Sequence, residues 1–210
     1  MSVPSALTIY APFPQEPHHH HLLILLHGWG ADADDLAPLA QSLDLPSYHF
    51  LFPSAPFPHP HVSQGKAWYA LESQDESGLA LSRQLLRQWL LGLESTTGIP
   101  LQRTILAGFS QGAAMALDVG LDLPLAGICI LSGYLHFQPD VRNATIPPIL
   151  IIHGRQDGVV PIGAARQARD ILHQFQPALE YEEFDMGHEI PSSVVTRLQT
   201  FVQQQTAPLS

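Results

Sequence analysis

Gly108-Phe109-Ser110-Gln111-Gly112 separates an apolar, strand-like run (Thr104 to Ala107) from a helix-forming run (Ala113 to Leu117), so the chain must pass from strand through a sharp turn into helix within five residues. In a G-x-S-x-G turn the serine backbone is strained. The flanking glycines remove the β-carbons that would collide where strand and helix nearly touch. The bare pattern arises by chance in roughly one chain in thirteen of this length, so its weight comes from context. That context is the strand before, the helix after, and an acid and a histidine further along in the order Ser, Asp, His.

Short β-type runs alternate with helical patterns along most of the chain, which predicts an α/β fold: a mostly parallel central sheet with helices on both faces, in three layers. Strands are expected near Leu7 to Ala11, Leu22 to Leu26, His49 to Phe52, Thr104 to Ala107, Gly127 to Leu131, Ile149 to Ile152 and Leu179 to Glu183, the first at an edge. Helices are expected over Asp34 to Ser42, Leu79 to Leu93, Gln111 to Val119, Gly163 to Phe175 and Ser192 to Gln203. In the last, Val194, Val195, Leu198, Phe201 and Val202 recur at helical spacing behind Pro191. Prolines and histidines dominate Pro53 to Gln64, which reads as a loop, and Gln203 to Ser210 reads as a frayed end.

With 210 residues, 45% of them apolar, the chain suits one domain spanning 1–210. Nine basic against nineteen acidic residues give a formal charge of −10, which argues against nucleic acid as a partner. Cys129 lies within Ile128 to Leu131 and reads as a buried hydrophobe, consistent with a reducing compartment. The chain shows neither a signal-peptide pattern nor an apolar run near the ~18 residues that a bilayer crossing needs. The expectation is a cytoplasmic protein without stable membrane insertion, monomeric or homodimeric. Four consecutive histidines, His18 to His21, precede a strand; metal ligands must converge rather than adjoin, so this run reads as a solvated strand entrance.

Acyl transfer at a serine needs a base, an acid that orients the base, and donors for the developing oxyanion. Asp157 follows the Ile149 to Ile152 run, at a strand's C-terminal end where sites of open α/β sheets assemble, and is the candidate acid. Asp185, three residues before His188, is its rival and reads as a local turn residue. His188 lies between the last strand and the last helix and is the candidate base; His153 and His27 compete, but neither follows the acid in the chain. Leu26-His27-Gly28-Trp29-Gly30 ends an early strand in a glycine-rich turn, so the backbone N–H groups of Trp29 and Gln111 are the candidate oxyanion donors. Because these donors belong to the backbone, the identity of the two side chains is expected to be secondary. Trp68, Tyr69, Leu71, Phe109 and Val159, together with Trp29, are expected to border the substrate, against the alternative that large apolar residues are ordinary core.

These motifs, with Asp32, Asp34 and Asp35 after the glycine turn, Leu131-Ser132-Gly133-Tyr134, Val159-Val160-Pro161 and Gly187-His188-Glu189-Ile190-Pro191, make the chain resemble the phospholipase/carboxylesterase family of small α/β-hydrolases, which includes acyl-protein thioesterases and bacterial carboxylesterases. The resemblance covers nearly the whole length. It implies Ser110, Asp157 and His188 as a catalytic triad, the Trp29 and Gln111 amides as the oxyanion hole, and no metal or organic cofactor. It further implies hydrolysis of carboxylic esters or thioesters through an acyl-enzyme, on a small ester, a lipid or an acylated protein. No insertion long enough for a separate cap domain follows Gly133. The chain departs from the family in Gly158, where proline is common after the aspartate, and in Ala70, where an aspartate usually follows the aromatic pair. The alternatives are a peptidase or lipase with the same triad, or a silent hydrolase scaffold that binds without catalysis.

Overall fold

The computed structural model describes residues 7–16, 18–71, 77–139 and 146–206. The strands are β1 (Thr8–Tyr10), β2 (His21–Leu26), β3 (Tyr48–Ser54), β4 (Phe57–Pro58), β5 (Lys66–Ala67), β6 (Thr104–Phe109), β7 (Gly127–Leu131), β8 (Ile149–Gly154) and β9 (Glu180–Phe184). The helices are α1 (Ala33–Leu36), α2 (Leu39–Ser42), α3 (Ser77–Thr97), α4 (Gln111–Gly120), α5 (Ile162–Leu172) and α6 (Ser192–Thr206). Seven strands form one sheet in the order β1-β3-β2-β6-β7-β8-β9. Every pairing in it is parallel except that of β1, which lies antiparallel along β3 at one edge.

The central strands are apolar on both faces because both faces are covered. Leu22, Ile24, Leu26, Ile128, Ile130 and Ile151 pack with α3, α4 and α5 through Leu86, Met115 and Ala165. Leu23, Leu25, Ile105, Cys129, Leu131 and Ile152 pack with α1, α2 and α6 through Leu36, Ala40, Val194 and Phe201. The outcome is three layers. At the other edge, β9 carries Glu180, Glu182 and Glu183, which pair with Arg197, Arg166 and Arg155, a charged border that discourages a further strand from adding. Among the described residues no helix is long and apolar enough to cross a membrane.

Three expectations need correction. The helix expected over Asp34 to Ser42 is two short helices, because Pro38 cannot supply an N–H and interrupts the ladder; Asp32 caps the first, its carboxylate accepting the Asp34 and Asp35 amides. The Pro53 to Gln64 loop is partly ordered: β3 runs on to Ser54, and Phe57–Pro58 pairs with Lys66–Ala67 as a small antiparallel ribbon. The end expected to fray from Gln203 instead continues α6 to Thr206, held by burial of Phe201 and Val202. Residues 207–210 lie outside the described residues.

Candidate active site

The sharp turn forms as its sequence demands. Ser110 has φ 54° and ψ −118°, outside the regions that a residue with a β-carbon ordinarily adopts, and α4 begins at the next residue. The glycines on either side are required by contact rather than by dihedral angle. A β-carbon on Gly108 would stand 2.3 Å from the Gly112 carbonyl oxygen, and one on Gly112 would stand 2.3 Å from that of Leu26. Strand β6, helix α4 and the end of β2 are therefore in backbone contact around Ser110.

The loops after β2, β6, β8 and β9 converge at the C-terminal end of the sheet. There His188 donates from Nδ1 to Asp157 Oδ2 over 2.8 Å. The Asp157 side chain is fully buried, and its Oδ1 accepts the backbone amides of Val159 (2.9 Å) and Val160 (2.8 Å). Burial alone would raise the pKa of this carboxyl; the hydrogen bonds from His188, Val160 and Val159 outweigh burial and hold it below its ordinary value. The group is a carboxylate at neutral pH. With Nδ1 committed to Asp157, His188 keeps Nε2 without a hydrogen-bond partner among the described residues, and its ring lies 4.7 Å from that of Phe109.

A cleft of about 960 Å³ collects these groups, at the upper end of the range usual for small-molecule sites. Ser110, Gln111, His188, Gly28 and Trp29 share its lining with Phe109, Leu71 and Val159. The position of a β-carbon on Gly28 lies 3.3 Å from Ser110 Cβ, so the glycine turn after β2 stands directly against the serine. Neither the Trp29 nor the Gln111 amide donates to an acceptor among the described residues. Leu36, Leu39, Tyr134, Leu135, Ala164 and Ile190 complete an apolar wall that sequence reading did not identify, since each reads as ordinary helix or loop packing.

Asp185 and His27 are engaged elsewhere, whereas His153 lies behind the acid, its Nε2 3.4 Å from Asp157 Oδ2. Asp185 pairs with Arg155 at 2.7 Å on the surface. His153 is fully buried, and its Nε2 donates to the Val160 carbonyl over 2.8 Å beneath the Asp157 loop. His27 is also fully buried, with both ring nitrogens hydrogen-bonded. Of the expected substrate-bordering residues, Trp68 and Tyr69 are not in the cleft wall. Trp68 is fully buried; its indole N–H donates to the His27 carbonyl and its backbone N–H to Gln111 Oε1, both over 2.9 Å. The Tyr69 carbonyl accepts from Gln111 Nε2 over 2.9 Å. The Gln111 side chain thus grips the backbone of this segment at two points, correcting the expectation that its identity is secondary. A tryptophan beside a polar loop carries the same sequence signal whether its face or its N–H is the part in use.

Residues 12–206 match the model of the phospholipase/carboxylesterase family. The chain belongs to that family. Among curated relatives, the acyl-protein thioesterase 1 of Schizosaccharomyces pombe is 31% identical over 176 residues, covering 75% of this chain and 78% of that protein. The acyl-protein thioesterase 1 of Saccharomyces cerevisiae is 28% identical over 211 residues, covering 87% and 91%. Among solved structures, esterase PE8 superposes with a TM-score of 0.84 at 30% identity, over 95% of this chain and 99% of that one. As a family member with the α/β-hydrolase fold, the chain is a carboxylic ester hydrolase.

Among the described residues no three or more His, Cys, Asp or Glu side chains are grouped to hold a metal ion. Of the four-histidine run, His18 is exposed and meets His19 edge-on at 4.7 Å, and His19 stacks on His49 at 5.8 Å.

Proposed function

We propose that the chain cleaves carboxylic esters and thioesters of apolar acyl groups through a covalent acyl-Ser110 intermediate. The observation that carries this reading is that Ser110, held on its strained turn, opens into the same cleft as His188, whose Nδ1 is bound by the ionised Asp157. His188 Nε2 takes the Ser110 proton as Oγ attacks the carbonyl carbon. Asp157 keeps the imidazole in the tautomer that leaves Nε2 free and offsets the imidazolium charge that develops. The carbonyl oxygen, now an anion, is received by the Trp29 and Gln111 amides, the second at the N-terminus of α4 where the helix dipole also favours negative charge. His188 then protonates the departing alcohol or thiol. In the second half, water attacks the acyl-serine by the same route in reverse.

The cleft supports an acyl rather than a charged substrate, because Leu36, Leu39, Phe109, Leu135 and Ile190 dominate its wall and Leu71 and Val159 stand exposed at its rim. Lipid and acyl-protein substrates fit the same openness. A cytoplasmic enzyme, monomeric or homodimeric, is part of the same proposal, supported by the fully buried Cys129, whose thiol burial pushes up and keeps protonated.

The test is hydrolysis of p-nitrophenyl esters and acyl-coenzyme A thioesters of increasing chain length, by wild type and Ser110→Ala, beside labelling with a fluorophosphonate. Ser110→Ala is expected to lose on the order of 10⁶-fold in kcat with unchanged folding. Turnover retained in that variant would remove Ser110 from the role. Labelling of wild type without turnover of any chain length would point to another acyl donor, and neither labelling nor turnover would favour the silent scaffold.

A further inference from the structure

The glycine turn that carries the Trp29 amide is braced from below by a histidine to which the mechanism assigns no part. His27 follows the last residue of β2, is fully buried, and has both ring nitrogens in defined contacts. The Ala55 backbone N–H, which can only donate, meets Nε2 at 2.9 Å. Nε2 must therefore be the unprotonated nitrogen, and the proton sits on Nδ1, which lies 2.8 Å from the Gly28 carbonyl, a group that can only accept. The tautomer is dictated by its partners. Burial lowers the His27 pKa, which keeps the ring neutral and this arrangement intact.

The consequence follows from peptide geometry. No cis peptide bond occurs among the described residues, so the Gly28 carbonyl and the Trp29 N–H belong to one trans peptide and point in opposite directions. Turning the carbonyl toward the buried imidazole turns the N–H away from it, and the β-carbon position of the same Gly28 lies 3.3 Å from Ser110 Cβ. We infer that His27 is a positioning residue for the oxyanion hole: by holding the Gly28 carbonyl, it aims the Trp29 N–H at the reacting carbonyl oxygen. The preceding peptide is held as well, since the Trp68 indole N–H donates to the His27 carbonyl. Trp68 also binds the Gln111 side chain, so the two residues that supply oxyanion donors share one frame. The inference rests on the roles proposed above for Ser110 and Trp29.

Two near-isosteres separate the two ring contacts. In His27→Asn the amide nitrogen takes the place of Nδ1 and keeps the Gly28 contact while losing that to Ala55. In His27→Gln the amide oxygen reaches the place of Nε2 and keeps the Ala55 contact while losing that to Gly28. With p-nitrophenyl butyrate, His27→Gln is expected to lose on the order of 10²-fold in kcat with KM within about threefold, whereas His27→Asn recovers most of that loss. The inhibition constant of an alkyl trifluoromethyl ketone, whose serine adduct carries the oxyanion, rises in parallel with the kcat loss. Equal kcat in the two variants, a loss confined to KM, or an unmoved inhibition constant would overturn the inference. Should either variant fail to fold, ¹⁵N NMR of wild type decides: a neutral His27 protonated at Nδ1 supports it, and the opposite tautomer or a cation overturns it. Ser110→Ala runs alongside. If it is inert while Asn and Gln match, only the role of His27 fails; if it turns over substrate, the underlying assignment fails first.

Discussion

Among the described residues two histidines hold an aspartate through Nδ1, His188 on Asp157 at 2.8 Å and His136 on Asp118 at 2.6 Å, and the pairs differ in what surrounds them. The aspartate of each pair is largely or fully buried, so both pairs resemble the base and acid of a triad. Asp157 is completed by two backbone amides, which leave the His188 ring facing the cleft. Asp118 is completed by the Arg83 guanidinium, through Nε at 2.9 Å and Nη2 at 2.7 Å. The far nitrogen of His136 is closed off by the Tyr69 hydroxyl at 2.5 Å, which in turn meets that of Tyr134 at 2.5 Å. Burial, reinforced by the neighbouring phenol, pushes the Tyr69 pKa far above its ordinary value, so this end of the chain of contacts remains a neutral hydroxyl. Contact between a histidine and an aspartate is thus common to both pairs. In the function proposed above, the difference is the free Nε2 of His188, in the same cleft as Ser110.

The largest effect that could break this comparison is on turnover. His188→Ala is expected to lose on the order of 10⁶-fold in kcat, against less than tenfold for His136→Ala; comparable losses in p-nitrophenyl ester hydrolysis would show that the closed pair also takes part. Next come the acids. Asp157→Asn is expected to lose about 10⁴-fold in kcat, because an amide at that position favours the wrong imidazole tautomer. Asp118→Asn should instead appear as lost stability of about 1–3 kcal/mol, or roughly 3–10 °C in Tm, since it removes the carboxylate charge that Arg83 and His136 share and puts an N–H₂ in place of one oxygen. A catalytic loss from Asp118→Asn without a fall in Tm would reverse the assignment.

The smallest effect is on stability against pH. The folded pKa of Asp157 lies below its ordinary value of 3.8, so its hydrogen bonds contribute stability that is complete above about pH 3.8 and declines as pH falls through the depressed folded value. The Tm difference between wild type and Asp157→Asn is accordingly expected to be constant from neutral pH down to about pH 4.5 and to shrink below pH 3.8. A difference that grew in acid would mean that the carboxylate is held above, not below, its ordinary value.

Much of the site could be read from short stretches because short-range sterics dictate it. Gly108 and Gly112 are obligatory wherever a strand and helix meet this closely, and Ser110 and Asp157 each follow an apolar run that marks a buried strand, whereas His188 follows the charged edge strand β9 and is picked out by its place between that strand and the last helix. The pairing of His136 with Asp118 is not legible in the sequence because it joins helix α4 to a loop, and no motif links the two residues. Sequence alone does not tell a pocket-wall aromatic from a buried one, and the N–H groups of Trp68 and the carbonyl of Tyr69 bond instead to His27 and Gln111, beneath the cleft.

The sequence by itself determined the layered α/β architecture, the turn at Ser110 and the chain order of serine, acid and histidine, because hydrophobic period and the absence of a β-carbon act over a few residues at a time. Only the tertiary structure decided which histidine keeps a free nitrogen, which aromatic faces the cleft, and which buried imidazole stands behind the Trp29 amide. Those outcomes depend on hydrogen-bond directions among residues brought together from separate strands, and a donor's partner is set by where the fold puts the nearest acceptor.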